Sequence, residues 1–312
     1  MSILSKLIQE LTINEFYRRI KTKPVIVGVG TLGCRVLSNF SPKELFVDMI
    51  AVSSDYYRLH YLTPVAYRVE IPESEEELVN SILPLLSRPV SPPPFCFLVA
   101  DLEEREGKLL PPLVKGLANS VDTSVIPLVL TSFYPEDEVT ALLCKLLEYS
   151  PCVLVLVKEV LERKFSHEPV VKAVRMLTEH ITQILSSLIE ILLSPGILSV
   201  DLADLKSILR GGGFIGLGYG PNMQEVLNNA LRDIPKTVKV DLATDLLLYL
   251  WSPPDTPLSE VSLALTRFVE ASGVDNVLFG LSVTSKRIFR LLVSLTGLKG
   301  EYLLECLKPA KM

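Results

Sequence analysis

The sequence predicts an α/β protein built from a Rossmann-type parallel-sheet domain, a long central helix and a smaller α/β domain. Three observations carry that expectation. Between Pro24 and Lys158 short runs, apolar on both faces, alternate with helix-like stretches, the pattern of a parallel sheet covered on two sides. From about Pro169 to Leu193 apolar residues keep helical spacing well beyond ordinary strand length. After Gly211 strands and helices resume, beginning with the glycine-studded GFIGLGYG. A chain of 312 residues suits two domains, because single cores stop growing near roughly 250 residues.

Residues 2–21 carry Ile3, Leu4, Leu7, Ile8 and Leu11 at helical spacing, followed by Phe16, Tyr17 and Ile20, and predict an amphipathic helix. Glu10 and Glu15 alternate with Lys6, Arg18 and Arg19 on its polar side, which favours packing on its own domain over a membrane surface or a partner. The strand PVIVGVG, the helix TLGCRVLSNF and the strand LFVDMIAVSS, closing at Asp55, form a βαβ unit. Next come a strand over 95–100, a helix over 112–119, a strand over 124–132, a helix over 136–148 and a strand over 152–158. The Pro-rich SRPVSPPP at 87–94 reads as a rigid entry into its strand. Beyond the long helix, the strand GFIGLGYG, the helix EVLNNALRD, the strand DLLLYLW, the helix LSEVSLALTRFVEAS and the strands VLFGLSV and RIFRLLVSLTG complete the chain. The expected parts are an N-terminal helix 1–22, a nucleotide-binding-type domain 23–168, a central helix with acidic loop 169–210, a C-terminal α/β domain 211–300 and a short tail 301–312.

Composition narrows the function. A net charge of −5 and a pI near 5.4 supply no positive field for nucleic-acid phosphates, so nucleic acid is not expected as a partner. Hydrophobic residues make up 48% of the chain, yet no stretch of roughly 18 consecutive apolar residues occurs. Five cysteines without a CxxC pair argue against a disulfide framework or a zinc site and point to a reducing, cytoplasmic compartment. His60, His167 and His180 are scattered without ligand-type neighbours, so they read as structural and no metal is expected.

Two constellations bear on function. Gly28, Gly30 and Gly33 spell GVGTLG between a strand and a helix, with Asp55 at the end of the next strand; alone this is a weak dinucleotide fingerprint. Asp201 and Asp204 stand three residues apart between the long helix and the glycine-studded strand. Locally, Ser199 or Asp201 could simply cap the helix DLADLKSIL.

The order of these elements resembles the tubulin/FtsZ superfamily from about Lys23 to Leu298. VDLADLKSILRGGGFIGLGYG is similar to the family's acidic-loop segment, NVDFADV followed by a strand ending in glycines. PLSEVSLALTRFVEASGVDNVLFGLSV with LLVSLTGL is similar to the closing half of FtsZ. The resemblance implies a tubulin/FtsZ-like fold. It also implies catalytic carboxylates Asp201 and Asp204 that reach a nucleotide on the next subunit, and a residual GTP or GDP site at Gly28, Gly30, Gly33 and Asp55.

Other positions depart from the family. Its second phosphate loop, GGGTGTG, falls on FLVADLEEREGKLLPP, where Glu103, Glu104 and Glu106 stand among Arg105, Gly107 and Lys108. At an effective dielectric near 20 each close like-charge pair would oppose a triphosphate by on the order of a few kcal/mol. A solvated acidic turn without ligand is the other reading of that segment. The family's GLGAG loop has no counterpart between Asp55 and Phe95, and its guanine-contacting positions fall on Arg35, Lys158 and near Thr178.

The expectation is a divergent FtsZ-like cytoskeletal or cell-division protein with lost or weakened GTP binding, no cofactor beyond residual GTP or GDP, and no GTPase activity of its own. Its partner would be itself or a nucleotide-binding FtsZ-like subunit, reached through longitudinal contacts. An active GTPase with phosphate loops rebuilt around Arg105 or Lys108, and a binder of another nucleotide, are the alternatives.

Overall fold

The computed structural model describes residues 23–40, 47–62, 65, 67–86, 92–120, 122–193 and 196–308. The helix expected over 2–21 and most of the Pro-rich piece lie outside the described residues.

The first half alternates strand and helix: β1 (Val25–Val29), α1 (Gly30–Ser38), β2 (Asp48–Ser53), α2 (Tyr56–Tyr61), β3 (Tyr67–Glu70), α3 (Glu75–Leu86), β4 (Phe95–Asp101), α4 (Leu110–Ser120), β5 (Ser124–Thr131), α5 (Asp137–Tyr149) and β6 (Cys152–Val157). Then come α6 (Lys158–Phe165), α7 (Val170–Leu193) and α8 (Leu202–Ile208). The second half comprises β7 (Gly211–Gly220), α9 (Met223–Leu231), β8 (Asp245–Ser252), α10 (Leu258–Ser272), β9 (Asn276–Val283), β10 (Phe289–Leu298) and α11 (Gly300–Cys306).

All ten strands join one mixed sheet in the order β3-β2-β1-β4-β5-β6-β7-β10-β8-β9. The seven strands from β3 to β7 are parallel, and β7 enters beside β6 with Gly211 level with Cys152. β10 runs antiparallel between β7 and β8, and β9 closes the edge parallel to β8. The sheet therefore passes without interruption across the boundary expected near residue 211.

Because successive strand residues point to opposite faces, β1 feeds two cores. Val25, Val27 and Val29 join the cluster under α3, α4, α5, α9 and α11. Ile26 joins the cluster under α1, α7 and α8. On α7, Ile184, Leu185, Leu188 and Ile189 are fully buried. Each such side chain is worth about 1.5–3 kcal/mol of burial, so tertiary packing holds this helix. By length and composition α7 could cross a membrane, but 61% of its most apolar window is buried within the fold.

Five short elements escaped the periodicity: α2, β3, α3, α6 and α11. The α2 sequence YYRLHY buries only Leu59, and α6 buries only Leu161, so neither presents an apolar stripe to read. Pro84 inside α3 disguises that helix, because proline ordinarily ends one.

Candidate functional site

β1 and β4 are neighbours in the parallel sheet, so the turns leaving their C-terminal ends meet. After β1 the chain passes at Gly30 through φ +72°, a left-handed conformation open to glycine and costly for other residues. A Cβ on Gly28 would lie 2.5 Å from the carbonyl oxygen of Gly33, so these two glycines let α1 press onto β1. The glycines of the motif thus allow the turn at Gly30 and the close packing of α1 on β1.

The amides that open α1 point at Glu104. The Thr31 N–H donates to its Oε2 at 2.7 Å, and the Leu32 N–H donates to Oε1 at 3.2 Å and Oε2 at 3.3 Å. A Cβ on Gly30 would lie only 2.6 Å from Glu104 Oε2, so the carboxylate fills the hollow that the glycine leaves. A helix N-terminus with free amides is a ready anion site, and here the anion is the protein's own side chain. Burial raises the Glu104 pKa, and the hydrogen bonds from Leu32 and Thr31 only partly oppose the rise.

The neighbouring acids are turned to internal donors in the same way. Glu103 Oε1 accepts from the Ser132 N–H at 2.6 Å and its Oε2 from Lys158 Nζ at 2.7 Å. Lys158 also lies 2.8 Å from Asp101. Burial raises the Glu103 pKa, but the bonds from Lys158 and Ser132 outweigh it and the net shift is downward. Glu106 accepts from Ser54 Oγ at 2.7 Å, and the Phe133 N–H donates to Glu159 at 2.9 Å. The segment after β4 is accordingly not a bare glycine loop, and Glu103, Arg105 and Lys108 in it are exposed. Residues 105–109 coil into a 3₁₀ turn, whose preceding carboxylates staple the loops after β1 and β5.

Asp55 caps α2, its Oδ1 accepting from the Arg58 N–H at 3.0 Å. The Arg58 guanidinium lies 3.5 Å from Asp55 and donates to Thr31 Oγ1. Gly28, Gly30, Gly33 and Asp55 therefore do share one edge of the sheet. Cys34, two residues beyond Leu32, is buried, and burial pushes its thiol up to about 12. Thr178 is buried and accepts from Asn39 Nδ2 at 3.2 Å.

Asp201 and Asp204 lie elsewhere. After the 24-residue α7, a span of about 36 Å at 1.5 Å per residue, the chain re-enters the sheet level with the first residue of β6. The acidic loop thus belongs to the edge opposite Glu104. Its two aspartates form a capping box: Asp201 Oδ1 accepts from the Asp204 N–H at 2.7 Å, and Asp204 Oδ2 from the Asp201 N–H at 3.4 Å. Both side chains remain exposed.

Sequence reasoning missed Glu104, Lys158, Ser132 and Glu159 as partners at the first edge. The visible signal was a run of acids following an apolar strand. Its meaning depended on which helix N-terminus that strand would face, which only the sheet order decides.

No family model matches the chain. FtsZ 2 of Pyrococcus furiosus is 27% identical over 168 residues, an alignment covering 51% of this chain and 41% of that protein's length. FtsZ 1 of Archaeoglobus fulgidus is 21% identical over 312 residues, covering 91% of this chain and 84% of that protein. A mutant FtsZ of M. jannaschii superimposes with a TM-score of 0.78 at 18% identity, covering 93% of this chain and 95% of that one. The CetZ2 protofilament of Haloferax volcanii with GTPγS bound gives 0.70 at 20% identity, covering 91% and 98%. With its element order, ten-stranded sheet and near full-length structural similarity, this chain has a tubulin/FtsZ-like fold.

Proposed function

We propose that this chain is a cytoskeletal or cell-division protein of the FtsZ type that assembles head to tail, with itself or with a nucleotide-binding FtsZ-like subunit, and whose own GTP binding is lost or much weakened. The observation that carries this reading is the Glu104 carboxylate on the Thr31 and Leu32 amides. An incoming phosphate would have to displace that side chain and approach Glu106, which accepts from Ser54 nearby. At close range each such repulsion amounts to on the order of a few kcal/mol. The internal carboxylates also hold the loops after β1 and β5 in place, a task that a bound anion would otherwise perform.

The assembly part draws on the similarity to FtsZ proteins and to the CetZ2 protofilament. A head-to-tail contact uses two different surfaces of one chain and so propagates. In this reading Asp201 and Asp204 meet the neighbouring subunit. Where that neighbour carries GTP they position the attacking water by charge; where it does not, they serve the contact alone.

Equilibrium dialysis with labelled GTP, run beside sedimentation of the protein without nucleotide, tests the reading. The expected result is no saturable GTP binding at micromolar concentrations together with sedimenting assemblies of the chain, alone or with a nucleotide-binding FtsZ. Micromolar GTP binding would overturn the nucleotide-free part. A monomer under all conditions would overturn the assembly part.

A further inference from the structure

Between α6, α7, β7 and α9 lies a cavity of about 320 Å³, at the small end of the roughly 300–1,000 Å³ that ligand sites occupy. Behind its wall the fully buried Asp233 carboxylate is held by two bases. Lys164 Nζ donates to Asp233 Oδ1 at 2.7 Å, and His180 Nε2 lies 2.6 Å from Oδ2. Lys164 and His180 both line the cavity.

Each base keeps one group unused. An ionised carboxylate only accepts, so the 2.6 Å contact places a proton on His180 Nε2. The other ring nitrogen, Nδ1, has no partner among the described residues, although His180 is only 5% exposed. An ammonium carries three donors. On Lys164 one goes to Asp233 and a second to the Leu217 carbonyl oxygen at 3.5 Å. The approach to His180 Nε2 at 3.2 Å consumes none, because that nitrogen already holds a proton. The third N–H of Lys164, whose side chain is 25% exposed, is left for the cavity. Buried polar atoms are ordinarily satisfied, so two unmatched groups on one wall mark a ligand's place.

An occupant must accept from Lys164 and match Nδ1 in either proton state of the ring. A carboxylate does both: it accepts from Nδ1–H, or in its acid form donates to bare Nδ1. With the ring protonated, Lys164, His180 and Asp233 sum to one positive charge. Glu179 at the rim is paired with Arg175 at 3.4 Å. Phe165, Met176 and Leu217 supply an apolar wall, and the Phe165 ring meets the imidazole edge-on at 6.1 Å.

We infer that this cavity binds a small organic acid, its carboxylate on Lys164 Nζ and His180 Nδ1 and its apolar body against Phe165, Met176 and Leu217. The site is separate from Glu104 and from Asp201, and it does not depend on the assembly reading.

The test is isothermal titration calorimetry of the full chain with hexanoate, acetate and inorganic phosphate, beside ring-proton NMR of its three histidines. Hexanoate is expected to bind saturably with a dissociation constant of about 1 mM or tighter. Acetate and phosphate, which bring little or no apolar body, should bind at least about tenfold more weakly. With hexanoate only the His180 ring signals should shift, because His60 and His167 are exposed and line no part of the cavity. Met176→Trp fills the cavity and Gln183→Glu adds a negative charge to its wall; each should weaken hexanoate about tenfold or more. Both should keep the wild-type urea midpoint, since the bonds to Asp233 come from Lys164, His180 and Leu217, which separates lost binding from lost folding. Phosphate bound as tightly as hexanoate overturns the organic acid as occupant. Hexanoate binding that both variants match, or that leaves the His180 signals in place, overturns the cavity as its site. Neither heat nor a His180 shift with any of the three overturns the inference altogether.

Discussion

Glu103 and Glu104 are adjacent carboxylates held by opposite balances of the same forces, and pH separates them. Burial dominates at Glu104 and raises its pKa against the pull of the Leu32 and Thr31 amides. A group whose folded pKa is raised contributes stability below its unfolded pKa and loses it as pH rises through the folded value. At Glu103 burial also raises the pKa, but Lys158 and Ser132 outweigh it and the result is lowered. That group contributes stability above its unfolded pKa, lost as pH falls through the folded one. Urea denaturation of wild type, Glu103→Gln and Glu104→Gln from acid to neutral pH reads this directly. The stability advantage of wild type over Glu104→Gln is expected to shrink as pH rises, and that over Glu103→Gln to grow. Equal slopes for the two variants would mean that the loop after β4 is solvated instead of stapled. The amide partners were not legible beforehand: the acids were visible, but a carboxylate next to a phosphate loop reads as repulsion until β4 is placed beside β1 and the amides of α1 are seen to point at it.

Two elements show what local pattern can and cannot disclose. The sequence offers Ser199 or Asp201 as the cap of α8, and in the fold Asp201 is the cap, within a capping box that Asp204 completes. Asp201→Ala should therefore cost about 1 kcal/mol of unfolding free energy; denaturation that leaves stability unchanged would assign Asp201 to intermolecular contact alone. The glycines of β7 were legible as a motif but not as a packing device. A Cβ on Gly216 or Gly218 would lie 2.1 Å from the carbonyl oxygen of Ala230 or Val226, so alternate glycines clear one face of the strand for α9. Gly218→Ala must push that helix off the sheet, an overpacking cost of about 1–3 kcal/mol. A variant as stable as wild type would show that α9 shifts freely. Periodicity identified α7, α10 and the buried strands because each carries a long apolar face. It passed over α2, α6 and α11 because a helix of one or two turns buries too few residues to leave a pattern.

Across the whole chain, an expected division into two α/β domains meets a sheet that does not divide. Alternation after Gly211 looks like a fresh domain in sequence, since strand order is not written in periodicity; the joint is made by β6 pairing with β7 over Cys152 to Val155. Side chains reinforce that joint. Asp233, buried after α9, accepts from His180 of α7 at 2.6 Å, Lys164 of α6 at 2.7 Å and the Leu217 N–H of β7 at 2.9 Å. Burial raises its pKa, but the bond from His180 and the charges of His180 and Lys164 outweigh it and hold the carboxyl below its usual range. One core cluster runs from Val25 to Leu307 through both halves. Breaking either half would expose that shared surface and strand a buried carboxylate, so the halves should unfold together. The chain has a single tryptophan, Trp251 in β8, stacked under Arg290 at 3.7 Å and donating to Glu190 of α7 at 2.8 Å, and its fluorescence reports the packing of the second half on α7. Far-UV circular dichroism reports helices and strands throughout. In urea the two signals should share one midpoint, as a single cooperative transition requires. A fluorescence transition displaced from the dichroism would show that the second half unfolds on its own, and that the Asp233 cluster and the β6–β7 joint do not couple the two halves.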